Sequence, residues 1–561
     1  MLAAIPALPR LVRTVGDPDD ALRLSMVRDL AAGRGWFDQR LERLQPPRGV
    51  YMHWSRLLDG AEAGLLKAFA AVLPPDRAEL AMRAAWPLLW VLPLTLAVLL
   101  IARRLGGGRA VFLGLVTAAV SFHASGEFTA GRVDHHGVQI TCCLLALAAA
   151  CEGRGARWAI GCGLASALGL AVGLEALPFL GLISAGLALS WAFGRTSGRD
   201  LGAYGAALGL AVPALHGLQT PPARWLAPAC DALAINLVLG LAAAGLGLCL
   251  AAVLGARAGR ATRLALLAAV GAVATGAYLA LEPLCLRGPM AGIDPELTAS
   301  WLANVREMAP WLTLLGHDPA QAVGMAAPAV AGLAGWAWLG RRPDMRASPQ
   351  WRLVGALLLA SVPLALQASR YLQYSLWFAA PMTAAALADF AAVALAGLMI
   401  PAVIGLLAVT TLPGLAIGAL SAADGRRPSP GGADPRDRCA DTRSLQPLAK
   451  LPPGLVLSEI DEGSYILADT PDAALQAPYH RMDWGIKAAR AALSAPLAQA
   501  ESSIRALNVT YVVNCPAHAR QSDRNGLAAD SLQRALDAGR VPAWLQPLSQ
   551  PAEPLQVFRL R

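Results

Sequence analysis

The sequence predicts an α-helical polytopic membrane protein with a C-terminal extracytoplasmic α/β domain, and three observations carry that prediction. Of 561 residues, 56% are hydrophobic and only 15% charged, against roughly 25% charged in soluble domains. Apolar runs recur from about residue 84 to residue 420, many near the ~20 residues a helix needs to cross a bilayer. Their Leu, Ala and Gly content reads as helix rather than barrel strand. Beyond residue 420 the pattern becomes charged and mixed, as in a soluble domain.

Taken in order, the N-terminal 15 residues are apolar but interrupted by Pro6, Pro9, Arg10 and Arg13, and read as a short first span. A long loop, 16–83, follows. In it Ala21–Ala32 reads as an amphipathic helix, with Leu22, Met26, Val27 and Leu30 on one side and Arg23 and Arg28 elsewhere. Gly33 and Gly35 end that helix. Tyr51, His53, Trp54 and Arg56 form an aromatic and basic cluster, either an interfacial belt or a contact to acceptor or phosphate. Apolar segments then fall at 84–101, 109–125, 138–151, 158–174, 177–193, 201–217, 232–254, 264–281, 321–340, 353–368, 375–392 and 395–420, making thirteen candidate spans with the N-terminal stretch.

Arginines orient these segments. Arg103, Arg104 and Arg109; Arg154 and Arg157; Arg195 and Arg199; Arg257, Arg260 and Arg263; and Arg341, Arg342, Arg346 and Arg352 mark short connections. They share one side only if 158–193 holds two spans, and that side is then cytoplasmic. The acidic loops 16–83, 126–137 and 282–320 and the tail fall on the other face. The net charge of +9 is largely this loop Arg. No basic patch with interleaved aromatics accompanies it, so no nucleic acid partner is expected. The chain divides into a transmembrane domain, 1–420, a flexible Pro- and Gly-rich linker, 421–450, and an extracytoplasmic domain, 451–561. In that last domain Gly454–Ile460 and Val509–Asn514 read as strands, and Trp484–Leu493 and Leu527–Leu536 as helices.

Nine cysteines make no metal pattern. Cys142, Cys143, Cys151, Cys162, Cys230, Cys249 and Cys285 read as small apolar residues in or near spans. Cys439 and Cys515 can pair if the tail is extracytoplasmic.

Carboxylates at the rim of a bilayer are functional suspects. Asp17, Asp19 and Asp20 follow the first apolar stretch. One of them can cap the helix behind it. A metal ligand among them is assigned to Asp20, with Asp19 as its rival, because adjacent side chains point apart. Asp134-His135-His136 follows a glycine and two further residues. Asp134 suits a hard metal ion such as Mg²⁺ or Mn²⁺, or else caps the next helix. His135 and His136 can orient a carboxylate or phosphate. Glu307 sits among Trp301, Met308 and Trp311 in a loop that dips into the interface. Arg370 stands on the outer side against the charge rule, where its planar fork suits a phosphate, with Tyr371 and Tyr374 beside it. Glu175 falls in the short outer turn between two spans.

These residues resemble the motifs of GT-C membrane glycosyltransferases, and within that superfamily the catalytic subunit of oligosaccharyltransferase. Asp20 in Asp19-Asp20-Ala21-Leu22 is similar to its first acidic motif, Asp134-His135-His136 to its second, Glu307 to its metal- and acceptor-contacting glutamate, and Arg370 to its pyrophosphate-binding arginine. The resemblance covers about residues 10–400 and implies Mg²⁺ or Mn²⁺ held by Asp20, Asp134 and Glu307. It also implies a polyprenyl-phosphate or -diphosphate sugar donor, membrane lipids as surroundings, and a bacterial inner membrane with site and tail facing the periplasm. The family's Trp-Trp-Asp-Tyr-Gly acceptor signature is missing; Met482-Asp483-Trp484-Gly485 is a faint echo, so the acceptor stays open among glycan, lipid and protein. A transporter, or a non-catalytic assembly protein, is the rival class.

Overall fold

The computed structural model describes residues 14–153, 155–305, 307–394, 438–517 and 527–561. The first helix, α1 (Pro18–Ala31), begins where Asp17 accepts hydrogen bonds from the Asp19 and Asp20 amides and the Asp20 side chain accepts one from the Asp17 amide, a capping box. It is not amphipathic in the expected sense. Arg23 is as buried as Leu22, because it donates to Asp59 at 2.7 Å from across the loop. Strands β1 (Arg40–Leu41) and β2 (Val50–Tyr51) form a short antiparallel hairpin before α2 (Arg56–Ala70).

Helix α3 (Pro75–Ala124) is two spans in one run. At Gly107 φ is +71°, a conformation glycine adopts without steric cost. The chain doubles back there, seating Gly114 against Leu99 and Ala102. There follow α4 (His136–Glu152), α5 (Ala156–Val172), α6 (Leu177–Ala192), α7 (Gly198–Gln219), α8 (Ile235–Leu254), α9 (Arg260–Leu281), α10 (Pro319–Leu339), α11 (Pro349–Gln367) and α12 (Tyr371–Ala394). The region 158–193 is indeed two helices, α5 and α6, separated at Gly173–Ala176.

The described residues bear on the count of thirteen spans only in part. Among the described residues six helices are long and apolar enough to cross a membrane by length and composition: α3, α7, α8, α9, α10 and α11. Helices α4, α5 and α6 are apolar but have 17, 17 and 16 residues, at ~1.5 Å per residue short of a ~30 Å hydrocarbon core. The N-terminal stretch and segment 395–420 lie outside the described residues. Leu92, Leu115, Leu250, Val253 and Val273 are exposed, and no residue of α9 is more than partly buried. An apolar surface of that extent belongs against lipid.

Two of the arginine-marked ends lie together. Glu152, at the end of α4, pairs with Arg103 and Arg104 beside the α3 reversal.

The tail forms a five-stranded sheet in the order β4-β3-β5-β7-β6. Its strands are β3 (Leu455–Leu457), β4 (Ala473–Ala474), β5 (Tyr511–Asn514), β6 (Leu545–Pro547) and β7 (Gln556–Leu560). β3 runs parallel to β4 and β5, while β7 is antiparallel to β5 and β6. The helices include α13 (Thr442–Ala449), α14 (Glu462–Asp469) and α15 (Asp483–Ser494). Helix α13 falls inside the expected flexible linker, yet buries Leu445 and Leu448. Cys439 and Cys515 form a disulfide. The tail shares one apolar core with the first loop: Leu24, Val27, Leu44, Trp54, Ile466 and Tyr479 pack together. Arg43 donates to the carbonyls of Leu467, Thr470 and Asp472, and Arg28 to that of Ala468.

A second disulfide joins Cys230 to Cys285. Placing both in or near spans as inert apolar residues is corrected by this. They lie in the loops after α7 and after α9, on the predicted outer face, where oxidation is expected.

Candidate functional site

A cavity of about 1160 Å³ opens where the outer loops meet the tail. Its walls come from the α1 N-terminus, the turn before α4, the α5–α6 turn, loop 220–234, loop 282–318, the α11–α12 turn and the tail segment around Pro478–Arg481. Every loop placed outside by the arginine pattern that borders the tail is represented, and none of the basic clusters lines the space.

Asp19 and Asp20 separate as adjacent residues should. Asp19 lines the cavity. Burial, then the charges of Asp134 and Glu307, push its carboxyl up to about 8. Asp20 is fully buried and does not line it. Asp20 Oδ1 accepts the amides of Val133 at 2.8 Å and Asp134 at 2.9 Å, and Oδ2 accepts the Asp17 amide and Arg132 Nη1, each at 3.0 Å. Burial and Asp134 push Asp20 upward, but four donors face its two oxygens, and that arrangement holds a carboxylate. Gly16 makes room for it: with φ +99°, a Cβ there would meet Asp20 Oδ2 at 2.4 Å.

Asp134 sits between two imidazoles. Its Oδ1 lies 2.5 Å from His135 Nδ1, and Oδ2 contacts His136 Nδ1. Burial opposes ionisation, yet the two histidines hold this carboxyl well below the usual range. The rings of His135 and His136 stack at 4.2 Å. One ligand atom from each of Asp134, His135 and His136 falls within 4.8 Å of the others, a group able to hold a divalent cation. Arg132 clamps the surrounding acids, reaching Asp17, Asp20, Glu127 and Asp134.

Arg370 joins this cluster from the α11–α12 turn. Nη2 lies 2.7 Å from Glu175, 3.1 Å from Glu307 and 2.6 Å from His136 Nε2. His136 Nε2 also lies 3.3 Å from Glu175, and although burial opposes it, the charges of Asp134 and Glu175 push this imidazole well above its ordinary value. The Arg370 amide donates to the Glu307 carbonyl, and its buried Nε has no partner among the described residues. Glu307 is half-exposed at the cavity edge.

The other sequence-derived residues divide. His53 and Tyr371 line the cavity. Tyr374 is buried below it against Phe179, its hydroxyl unpartnered. Arg56 does not face the cavity; it donates to the carbonyls of Gly35, Trp36 and Asp38 and pairs with Asp59, tying the first loop together. Nor is the aromatic cluster a lipid belt, because Trp54 is buried between Arg23, His135 and Tyr479. Sequence reasoning passed over Glu127 and Arg132, and noticed Glu175 only as a turn. It missed Asp231, which receives His480 at 2.6 Å and Arg481 through two hydrogen bonds, at 2.9 and 2.6 Å. Partners 249 and 250 residues apart leave no local signal.

No protein-family model matches the chain, and no curated protein does. Solved structures do. The archaeal oligosaccharyltransferase AglB from Archaeoglobus fulgidus, in complex with an inhibitory peptide and a dolichol-phosphate, superposes with a TM-score of 0.65 at 14% identity, covering 100% of this chain and 73% of that one. The Archaeoglobus fulgidus enzyme with zinc and sulfate gives 0.59 at 15%, covering 100% and 72%. The form tethered to an acceptor peptide with the NVT sequon gives 0.64 at 12%, covering 98% and 70%. The chain therefore shares the fold of these oligosaccharyltransferase structures across nearly its full length.

Proposed function

We propose that the chain is a metal-dependent glycosyltransferase that moves a sugar or glycan from a polyprenyl-phosphate or -diphosphate donor to an acceptor at the outer face of a bacterial inner membrane. The observation that carries this reading is one connected network at the cavity floor: Asp134 on His136, His136 on Arg370, and Arg370 on Glu175 and Glu307. It joins a cation-seeking group of carboxylates to a phosphate-seeking guanidinium. The GT-C fold, and the zinc, sulfate and dolichol-phosphate bound to proteins that share it, support the same pairing of metal and lipid phosphate.

The residues fit a divalent cation. Asp19, Asp134 and Glu307 all line the cavity, and burial together with the charges of the other two raises Asp19. Asp19 takes the place of Asp20 in this reading, because Asp19 lines the cavity whereas Asp20 is fully buried behind it. Carboxylates suit Mg²⁺, and the adjacent imidazoles widen the choice to Mn²⁺. Such an ion supplies neutralisation of the charge that grows on a leaving phosphate.

The chain's own groups do the rest. Arg370 exchanges a carboxylate partner for a donor phosphate oxygen, its free Nε offering a second hydrogen bond. His136, bonded to Asp134 through Nδ1, is held with Nε2 facing Arg370 and Glu175. Glu307, half-exposed at the cavity edge, positions the acceptor hydroxyl and takes its proton. Direct displacement then inverts the anomeric centre. The tail roofs the cavity with Pro478–Arg481 where a sequon-reading signature is missing, so the acceptor class is glycan, lipid or protein.

Asp134→Ala tests this. The variant should elute as folded protein in detergent and transfer no labelled sugar from a polyprenyl-linked donor in the presence of Mn²⁺. Wild-type turnover by that variant sinks the proposal.

A further inference from the structure

A second group of metal-type ligands lies in the wall of the same cavity, away from Asp134. His53 comes from the first outer loop, Asp231 from the loop between α7 and α8, and His480 from the tail. One ligand atom from each falls within 4.8 Å of the others. We propose that His53, Asp231 and His480 form a second metal site, for zinc or a zinc-like transition metal, that fastens the tail to the membrane domain.

The donor set is two imidazoles and one carboxylate, which suits zinc better than the oxygen-seeking Mg²⁺. Two of the three ligands, His53 and Asp231, are also held from behind, as metal ligands are. The Tyr479 hydroxyl oxygen takes the His53 amide at 3.0 Å and lies 2.5 Å from His53 Nδ1, which leaves Nε2 as the free edge of that ring. Arg481 fixes the Asp231 carboxylate through two hydrogen bonds. Without metal, His480 Nε2 and Asp231 Oδ2 close on each other at 2.6 Å. Ligand atoms on tetrahedral zinc stand about 3.3 Å apart, from bonds of ~2.0–2.1 Å, so loading opens this contact by less than the length of a bond. Three protein ligands leave a fourth position facing the cavity. With Arg481 alongside, the loaded site is net positive, so that position takes an anionic oxygen.

The test uses the full chain in detergent, stripped with chelator and titrated with Zn²⁺ by calorimetry, and with Co²⁺ by visible absorption. Wild type and Asp134→Ala should both show the intense d–d bands of tetrahedral cobalt and a zinc-dependent rise in melting temperature. His480→Gln and His53→Gln, two variants in separate segments, should each lose the cobalt bands, one equivalent of zinc and the zinc-dependent rise. Gel filtration and the metal-free melting temperature report whether each variant has folded. Unchanged zinc stoichiometry and cobalt bands in both folded histidine variants overturn the proposal. Loss of the bands in Asp134→Ala alone assigns the metal to the other cluster and equally overturns it. Sugar transfer is not read, so failure here is separate from failure of the glycosyltransferase reading.

Discussion

Asp20→Asn and Asp19→Asn, neighbours in sequence, should fail in opposite ways. Asp20 receives two donors on each oxygen. In asparagine one oxygen becomes an NH₂ group, so on either orientation two donors lose their acceptor and face another donor. Hydrogen bonds to a charged partner contribute about 1.5–3 kcal/mol each, so the loss is about 3–6 kcal/mol before relaxation. The segment that unfastens is the junction of the α1 N-terminus with residues 132–134, and Asp134 moves with it. Asp19 accepts none of these bonds and suffers repulsion from Asp134 and Glu307. Asp19→Asn should therefore melt at or above the wild-type temperature while losing sugar transfer. Thermal unfolding followed by intrinsic fluorescence in one detergent, with labelled-sugar transfer on the same preparations, separates the two. If Asp20→Asn melts like wild type, or if Asp19→Asn retains full transfer, the assignment of scaffold to Asp20 and ligand to Asp19 is refuted.

Arg370→Lys keeps the charge but loses the fork and the Nε donor, so transfer should fall at least tenfold, with KM for the lipid donor rising, in a steady-state donor titration. Cys230→Ser should lower the melting temperature and make wild-type-like electrophoretic mobility insensitive to reductant at that bridge; for a separation of 55 residues the chain-entropy contribution is about 4 kcal/mol. The pH dependence of the metal-stripped protein follows from Asp19. Its folded value of about 8 stands above the unfolded 3.8, so its contribution is fully present below pH 3.8 and is lost as pH rises through about 8. Melting temperature should decline across that window in wild type and decline less in Asp19→Asn.

Much of the outer face was legible from the sequence because membranes impose one-dimensional rules. Arginine counts in short loops put 16–83, 126–137, 282–320 and the tail on one side, and the cavity gathers residues from all four. Asp134, Glu307 and Arg370 stood out as charges in apolar surroundings, and all three border the cavity. Arg56 misled because an arginine beside aromatics looks the same whether it meets a phosphate or three backbone carbonyls. Cys230 and Cys285 misled because a cysteine near a span carries no mark of its partner. Strict length and hydropathy single out six helices among the described residues, since α4, α5 and α6 are apolar but short and the two end segments lie outside those residues.

The sequence alone determined class, sidedness and the set of suspects, because burial in lipid and charge at its edges depend on composition over short windows. Only the tertiary structure decided which of two adjacent aspartates faces the cavity. That choice rests on the Val133 and Asp134 amides reaching Asp20 from more than a hundred residues away. The clasp of Asp231 by His480 and Arg481 was decided in the same way. Long-range hydrogen bonds leave no periodicity in the chain, and they select which of its chemically equal side chains remain free to act.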